Sequence, residues 1–213
     1  MSQRLFGEEH ALVASTRYQL GCLLLEQGDN SGAEEQCREA LRISRDLSAD
    51  GSSQTAVYAA GLAEVLVVRG ELAAAGMLYG ESLDILSRST GDSRRAMAQL
   101  KSELAGLLLE SGHYDEAEEL YRDAMELQLT DLGTEHPSVG MTMGSLGLVL
   151  LARGDLEGAE SLLSESGHIF EIARLRAGTG IRRSTFQESP YIYLAATRLA
   201  LGREDAAWRA LEK

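Results

Sequence analysis

Proline is nearly absent from this chain, with 2 residues in 213, and aromatic residues make up only 5%. Both scarcities count against a sheet-rich fold, in which aromatic and β-branched residues predominate and turns recruit proline. Cysteine is equally sparse. Cys22 and Cys37 are too few for a disulfide framework, so the chain reads as a protein of a reducing, cytoplasmic setting with two small core thiols. Long apolar runs are also missing. The stretch from Leu146 to Ala152 falls far short of the roughly 20 residues that a membrane-spanning helix needs. The first ten residues have no apolar segment of the secretory kind. Positive charge is in deficit, the formal net charge being −13, which argues against general nucleic-acid binding. That deficit is uneven: residues 172–213 hold 8 of the 20 basic residues and only 4 of the 33 acidic ones.

Abundant Ala, Leu, Glu and Arg favour helices, and 44% hydrophobic residues suffice for a core. The organising feature is a glycine that closes a helical run at positions 28, 70, 112 and 154, a constant step of 42. Alanine follows five residues later at Ala33, Ala75, Ala117 and Ala159. Leucine precedes the glycine by eight at Leu20, Leu62, Leu104 and Leu146, each followed by Gly or Ala. Nine residues after the glycine stand Cys37, Tyr79, Tyr121 and Leu163. Leucines and alanines at three- and four-residue spacing mark one helical face, and glycine lets the chain turn back. Each period is therefore an antiparallel helical hairpin that completes its core only by stacking on its neighbours. The spacing predicts helices over 9–27, 30–47, 52–69, 72–88, 93–111, 114–131, 136–153 and 156–175.

A fifth signature, Leu194, Ala195, Gly202 and Ala207, comes late, with Gly202 lying 48 residues after Gly154. The extra residues fall in 176–188, read as a longer loop around Ala177-Gly178-Thr179-Gly180, after which Ser189-Pro190 restarts a helix. The expected organisation is four regular units over 1–175, the loop, and an incomplete fifth unit over 189–213. Both ends look truncated within a hairpin, and Trp208 and Leu211 form an apolar stripe with no polar capping helix beyond it. The chain is accordingly expected to be a module of a longer protein, or one that dimerises through its ends.

The leucine, small residue, alanine, bulky residue, alanine pattern at Leu20, Gly21, Ala33, Cys37 and Ala40 resembles the tetratricopeptide repeat (TPR) family. Leu104, Ala105, Ala117, Tyr121 and Ala124 repeat it. The 42-residue period is similar to the longer-helix variety found in kinesin light chains and many bacterial regulators. Gly133-Thr134-Glu135-His136-Pro137 looks like that variety's inter-repeat turn, and Gly7-Glu8-Glu9-His10-Ala11 is a weaker copy. The resemblance implies an all-α solenoid of about five stacked hairpins with a right-handed superhelical twist. A weaker resemblance, over 189–212, is to the last repeat of bacterial arrays that precede a caspase-like CHAT protease domain, some of them CRISPR-associated.

The tetratricopeptide resemblance implies a partner groove lined by the first helix of each hairpin. Its positions here are Ser15, Tyr18, Cys22 and Leu25, then Val57, Ala60, Glu64 and Val67. Gln99, Ser102, Gly106 and Leu109 follow, then Met141, Gly144, Leu148 and Leu151. The lining is small or apolar with little charge, suited to an extended segment or helix with apolar anchors. The lysine and asparagine clamp for C-terminal carboxylates is absent. The asparagine ladder is also missing, its places reading Gln19, Gly61, Glu103 and Ser145.

No catalytic constellation is visible. His10 and His136 share one repeat position near a helix start, which reads as structural, and no Cys/His cluster or HExxH accompanies them. Acidic runs such as Asp115-Glu116-Ala117-Glu118-Glu119 suit helix N-termini and a solvated face. Arg174, Arg176, Arg182 and Arg183 allow two readings. One is a solvated loop with helix-end arginines, the other an electrostatic contact with an acidic array face, a partner protein or RNA. The expected function is non-catalytic binding of a protein or peptide, with no metal or cofactor and no membrane contact. The alternative is the regulatory or sensing region of a larger bacterial enzyme of the CHAT type, with an adjoining protease domain.

Overall fold

Where the repeat glycine occurs, the backbone turns left-handed. Gly70 has φ 79° and Gly154 has φ 84°, values that an L side chain adopts only with strain. The amide of the next residue closes the motif, as when Asp155 N–H donates to the Leu150 carbonyl at 2.9 Å. The computed structural model describes residues 2–48, 51–89, 93–177 and 190–212. Among them are α1 (Ser2–Glu26), α2 (Asn30–Leu47), α3 (Ser53–Val68), α4 (Leu72–Arg88) and α5 (Arg94–Glu110). Then come α6 (Tyr114–Leu132), α7 (Pro137–Arg153), α8 (Leu156–Ala177), α9 (Pro190–Ala200) and α10 (Glu204–Leu211). No strand occurs among the described residues, and the fold is the all-α stack of TPR hairpins. No helix there is long and apolar enough to cross a membrane.

Local chemistry explains the boundaries. Asp29 and Asp155 occupy one register position, and the Oδ1 of each accepts the backbone N–H three residues on, at 2.9 and 3.0 Å. Ser52 and Thr55 cap α3 reciprocally. Pro137 opens α7, and the His136 imidazole Nδ1 accepts the Ser138 N–H at 3.1 Å. The upstream copy of that turn behaves differently. His10 lies inside α1, which begins at Ser2 rather than at residue 9. Ala11 stands where Pro137 stands, so the strongest helix former replaces the residue that would interrupt a preceding turn.

The chain divides into two compact units, Met1–Leu104 and Ala105–Lys213, the division falling within α5. In the first, α1 packs on α2, α2 on α3 and α3 on α4. In the second, α6, α7, α8, α9 and α10 pack each on the next. Alanines at the repeat positions, Ala33, Ala75, Ala117 and Ala159, are completely buried and let helices approach closely. Larger residues fill the spaces between. Leu163 packs with Leu150, Leu194 and Ala207, while Tyr121 packs with Ala105, Leu146 and Val149. Each fully buried leucine contributes about 1.5–3 kcal/mol relative to exposure. Buried hydroxyls are satisfied both inside hairpins, where Ser82 Oγ donates to the Ala56 carbonyl at 2.9 Å and Ser166 Oγ to the Gly140 carbonyl at 2.7 Å, and between them, where Ser44 bonds Thr55 and Thr142 donates to Gln128, each at 2.8 Å.

Candidate partner-binding surface

First helices turn one stripe into the hairpin stack and leave the neighbouring stripe open, because positions three and four apart share a face. In the first unit, Ala14, Ala56, Ala63 and Val65 occupy the buried stripe. Ser15, Tyr18, Cys22 and Leu25 of α1 are half-buried, as are Ala60 and Val67 of α3, while Val57 and Glu64 keep solvent-exposed edges. Gln99 of α5 is exposed and Ser102 half-buried. In the second unit Gly106, Leu109, Gly144, Leu148 and Leu151 are half-buried and Met141 is exposed.

In Met1–Leu104 the structure brings several of these residues together. The Tyr18 ring packs on Tyr58, with centroids 5.1 Å apart at 43°. It lies over Gly61, where a Cβ would collide with the ring. Burial raises the Tyr18 pKa, with the neighbouring Cys22 and Glu64 adding to the effect. Cys37, buried behind them, is pushed up to about 11 by burial and then by Cys22 and Glu64, which favours its protonated form. Glu64 faces a second carboxylate, Glu103. Desolvation raises the pKa of both, and the Glu103 charge raises Glu64 further. Hydrogen bonds from Gln99 and Tyr79 partly offset the Glu103 shift, the Gln99 Nε2 donating at 2.7 Å.

Tyr18, Cys22, Glu64 and Gln99 are legible in the sequence as groove positions, whereas Tyr58, Tyr79 and Glu103 emerge as their neighbours only in the folded chain. Glu103 occupies the register place of the missing asparagine ladder, and that substitution was the available signal. Tyr58 carried none, since its repeat equivalents are Thr16, Leu100 and Thr142.

The other group, in Ala105–Lys213, is plainer. Leu148 and Leu151 pack against the cluster around Leu163, Met141 projects outward, and the Tyr121 hydroxyl approaches Gly106. Burial raises the Tyr121 pKa.

Arg174 and Arg176 are exposed at the end of α8. Arg174 pairs with Glu171 at 2.7 Å within the helix, and Arg176 reaches Glu135 of the α6–α7 turn at 2.5 Å. Arg182 and Arg183 lie outside the described residues. The acidic starts of the second helices do more than meet solvent. Glu34 accepts Arg69 at 2.5 Å, Glu118 pairs with Arg122 and Arg153, and Glu160 receives Arg198 and Arg203. Among the described residues, no group of three or more His, Cys, Asp or Glu is arranged to hold a metal ion.

A sequence model of the MalT-like TPR region matches residues 20–213. Among solved structures, BtubC (BKLC) from P. vanneervenii superposes with a TM-score of 0.80 at 21% identity, over 95% of this chain and 78% of that one. A candidate kinesin light chain from Podosopora anserina, with nearly identical TPR-like repeats, gives 0.75 at 20% identity over 95% and 93%. The apo form of RapI gives 0.75 at 13% identity over 94% and 52%. At these identities the likeness concerns the fold alone. No curated protein matches the sequence.

Proposed function

The chain belongs to the MalT-like TPR region family, and we propose on that footing that the first helices within each of its two units present a non-catalytic docking surface for a protein or peptide. A protein-interaction or scaffold role follows from the TPR fold in general; the particular surface is our assignment. One observation carries it. At the same register positions on successive first helices, Ser15, Tyr18, Cys22, Val57, Glu64, Gln99, Ser102, Met141 and Leu148 all remain open to solvent in part or whole. Their neighbours on the adjoining stripe are buried, so the surface left over is one the stack itself does not use. Val57 in the first unit and Met141 in the second, 41% and 61% exposed, each supply an apolar anchor on the surface of their own unit. The free thiols Cys22 and Cys37 support a cytoplasmic setting.

The test uses the 213-residue chain as bait for proteins of its own host. A reproducible partner should be retained by wild type and by the outer-face variant Glu119→Lys. It should bind about tenfold or more weakly to a Val57→Glu, Met141→Glu double variant, each anchor being replaced by a charge that resists burial. Equal capture by all three, or capture of nothing, counts against the assignment.

A further inference from the structure

Where hairpins meet, carboxylates have arginines of their own: Glu34 pairs with Arg69, Glu118 with Arg153 and Glu160 with Arg198. Glu64 and Glu103, on the open side of α3 and α5, differ. Glu64 keeps an exposed edge and Glu103 is half-buried, so both belong to the surface the stack leaves over. Among the described residues no lysine or arginine acts on either, and the charge that bears on Glu64 is that of Glu103. Two like charges facing each other in partly desolvated surroundings disfavour one another, and a cation placed between them relieves both.

The surroundings narrow the kind of cation. Gln99 Nε2 donates to Glu103 at 2.7 Å and the Tyr79 hydroxyl donates to it from behind, so that carboxylate is held in place. The half-buried Tyr18 ring is near enough to Glu64 to feel its charge. Val57, 41% exposed, lies two turns before Glu64 on the same face of α3, roughly 10 Å along the helix. A metal ion finds too few ligands: among the described residues no group of three or more His, Cys, Asp or Glu is arranged to hold one. A long basic side chain fits better. Its methylene stem can lie on the ring of Tyr18 while its charged head reaches the carboxylates.

Resting on the docking surface proposed above, we infer that its part in Met1–Leu104 takes a basic peptide segment, one lysine or arginine of which inserts between Glu64 and Glu103. An apolar residue of the same segment, about three residues away in extended chain, sits on Val57. The chain's net charge of −13 favours the approach of such a segment. The carboxylate pair discriminates by charge: a neutral or acidic segment leaves the two glutamates uncompensated as it excludes water from them.

The test selects random linear peptides, displayed on phage, against the immobilised 213-residue chain and in parallel against a Glu64→Gln, Glu103→Gln variant. Each glutamine keeps the shape of the side chain and removes its charge, so the helical circular dichroism of the variant should match wild type. Peptides enriched on wild type should carry a lysine or arginine close to an apolar residue, and the variant should lose that preference. A synthetic peptide of the enriched sequence should bind the variant about tenfold or more weakly, and replacing its basic residue by norleucine should cost wild type a similar factor. Val57→Glu should weaken the same peptide, since the apolar anchor is lost. Enriched peptides that lack a basic residue, or that bind the glutamine variant equally well, overturn this inference and leave the docking surface standing. Enrichment of no peptide at all overturns both.

Discussion

In Met1–Leu104 the open surface of the first helices carries a ring and carboxylates, Tyr18 seated on the buried Tyr58 and Glu64 facing Glu103. In Ala105–Lys213 the equivalent places are held by Gly106, Gly144, Ser145 and Leu148, small or aliphatic. The backbone rhythm is the same in both. The difference shows that a repeat stack separates its two tasks: one stripe of each helix builds the stack, and the other is free to vary in chemistry. A polar, titratable surface and a plain apolar one are thus carried by one architecture.

The largest effect lies beneath the aliphatic region. Leu163→Ala removes a fully buried side chain among Leu150, Leu194 and Ala207, and should cost about 2–5 kcal/mol in urea unfolding. A loss under 1 kcal/mol would mean that this cluster collapses around the cavity.

A smaller effect separates the two surfaces directly. Gly61→Ala places a methyl against the Tyr18 ring and should destabilise by about 1 kcal/mol, the collision outweighing the gain in helix propensity. Gly106→Ala meets only the Tyr121 hydroxyl, at ordinary contact distance, and should stabilise by about 0.5–1 kcal/mol. Thermal melts of the two variants moving in the same direction would erase the contrast.

The smallest effect is in pH. Glu64 and Glu103 have folded pKa values raised above the unfolded carboxylate value, so the folded state takes up protons first. Stability of the first unit should therefore rise as pH falls from neutrality through the folded pKa values. The gain is complete once pH is below the unfolded value near ~4.3. In a Glu64→Gln, Glu103→Gln variant this rise in melting temperature should flatten. A wild-type melting temperature that falls over the same range would show the carboxylates to be stabilising as ions.

Much of the fold was legible because it is periodic. The expected spans 30–47 and 72–88 coincide with α2 and α4, since the turn glycine and the alanine five residues later bracket each second helix. At α1 the helix starts at Ser2 and not at the expected residue 9, because the turn pattern recurs there without its proline. The candidate surface was legible only by position. Its register names which residues face outward, but not that Tyr18 crosses to α3, or that Glu103 stands opposite Glu64.

The sequence by itself determined the all-α repeat, its hairpin length and the stripe each helix buries, because glycine turns and apolar spacing act within a few residues of one another. The tertiary structure alone decided the Tyr18–Tyr58 pair, the raised carboxylates and the Glu34–Arg69 and Glu118–Arg153 pairs. Each joins residues about 35 or more positions apart, and depends on which long side chain reaches across a junction and how much water is excluded there. Periodicity carries no information about either.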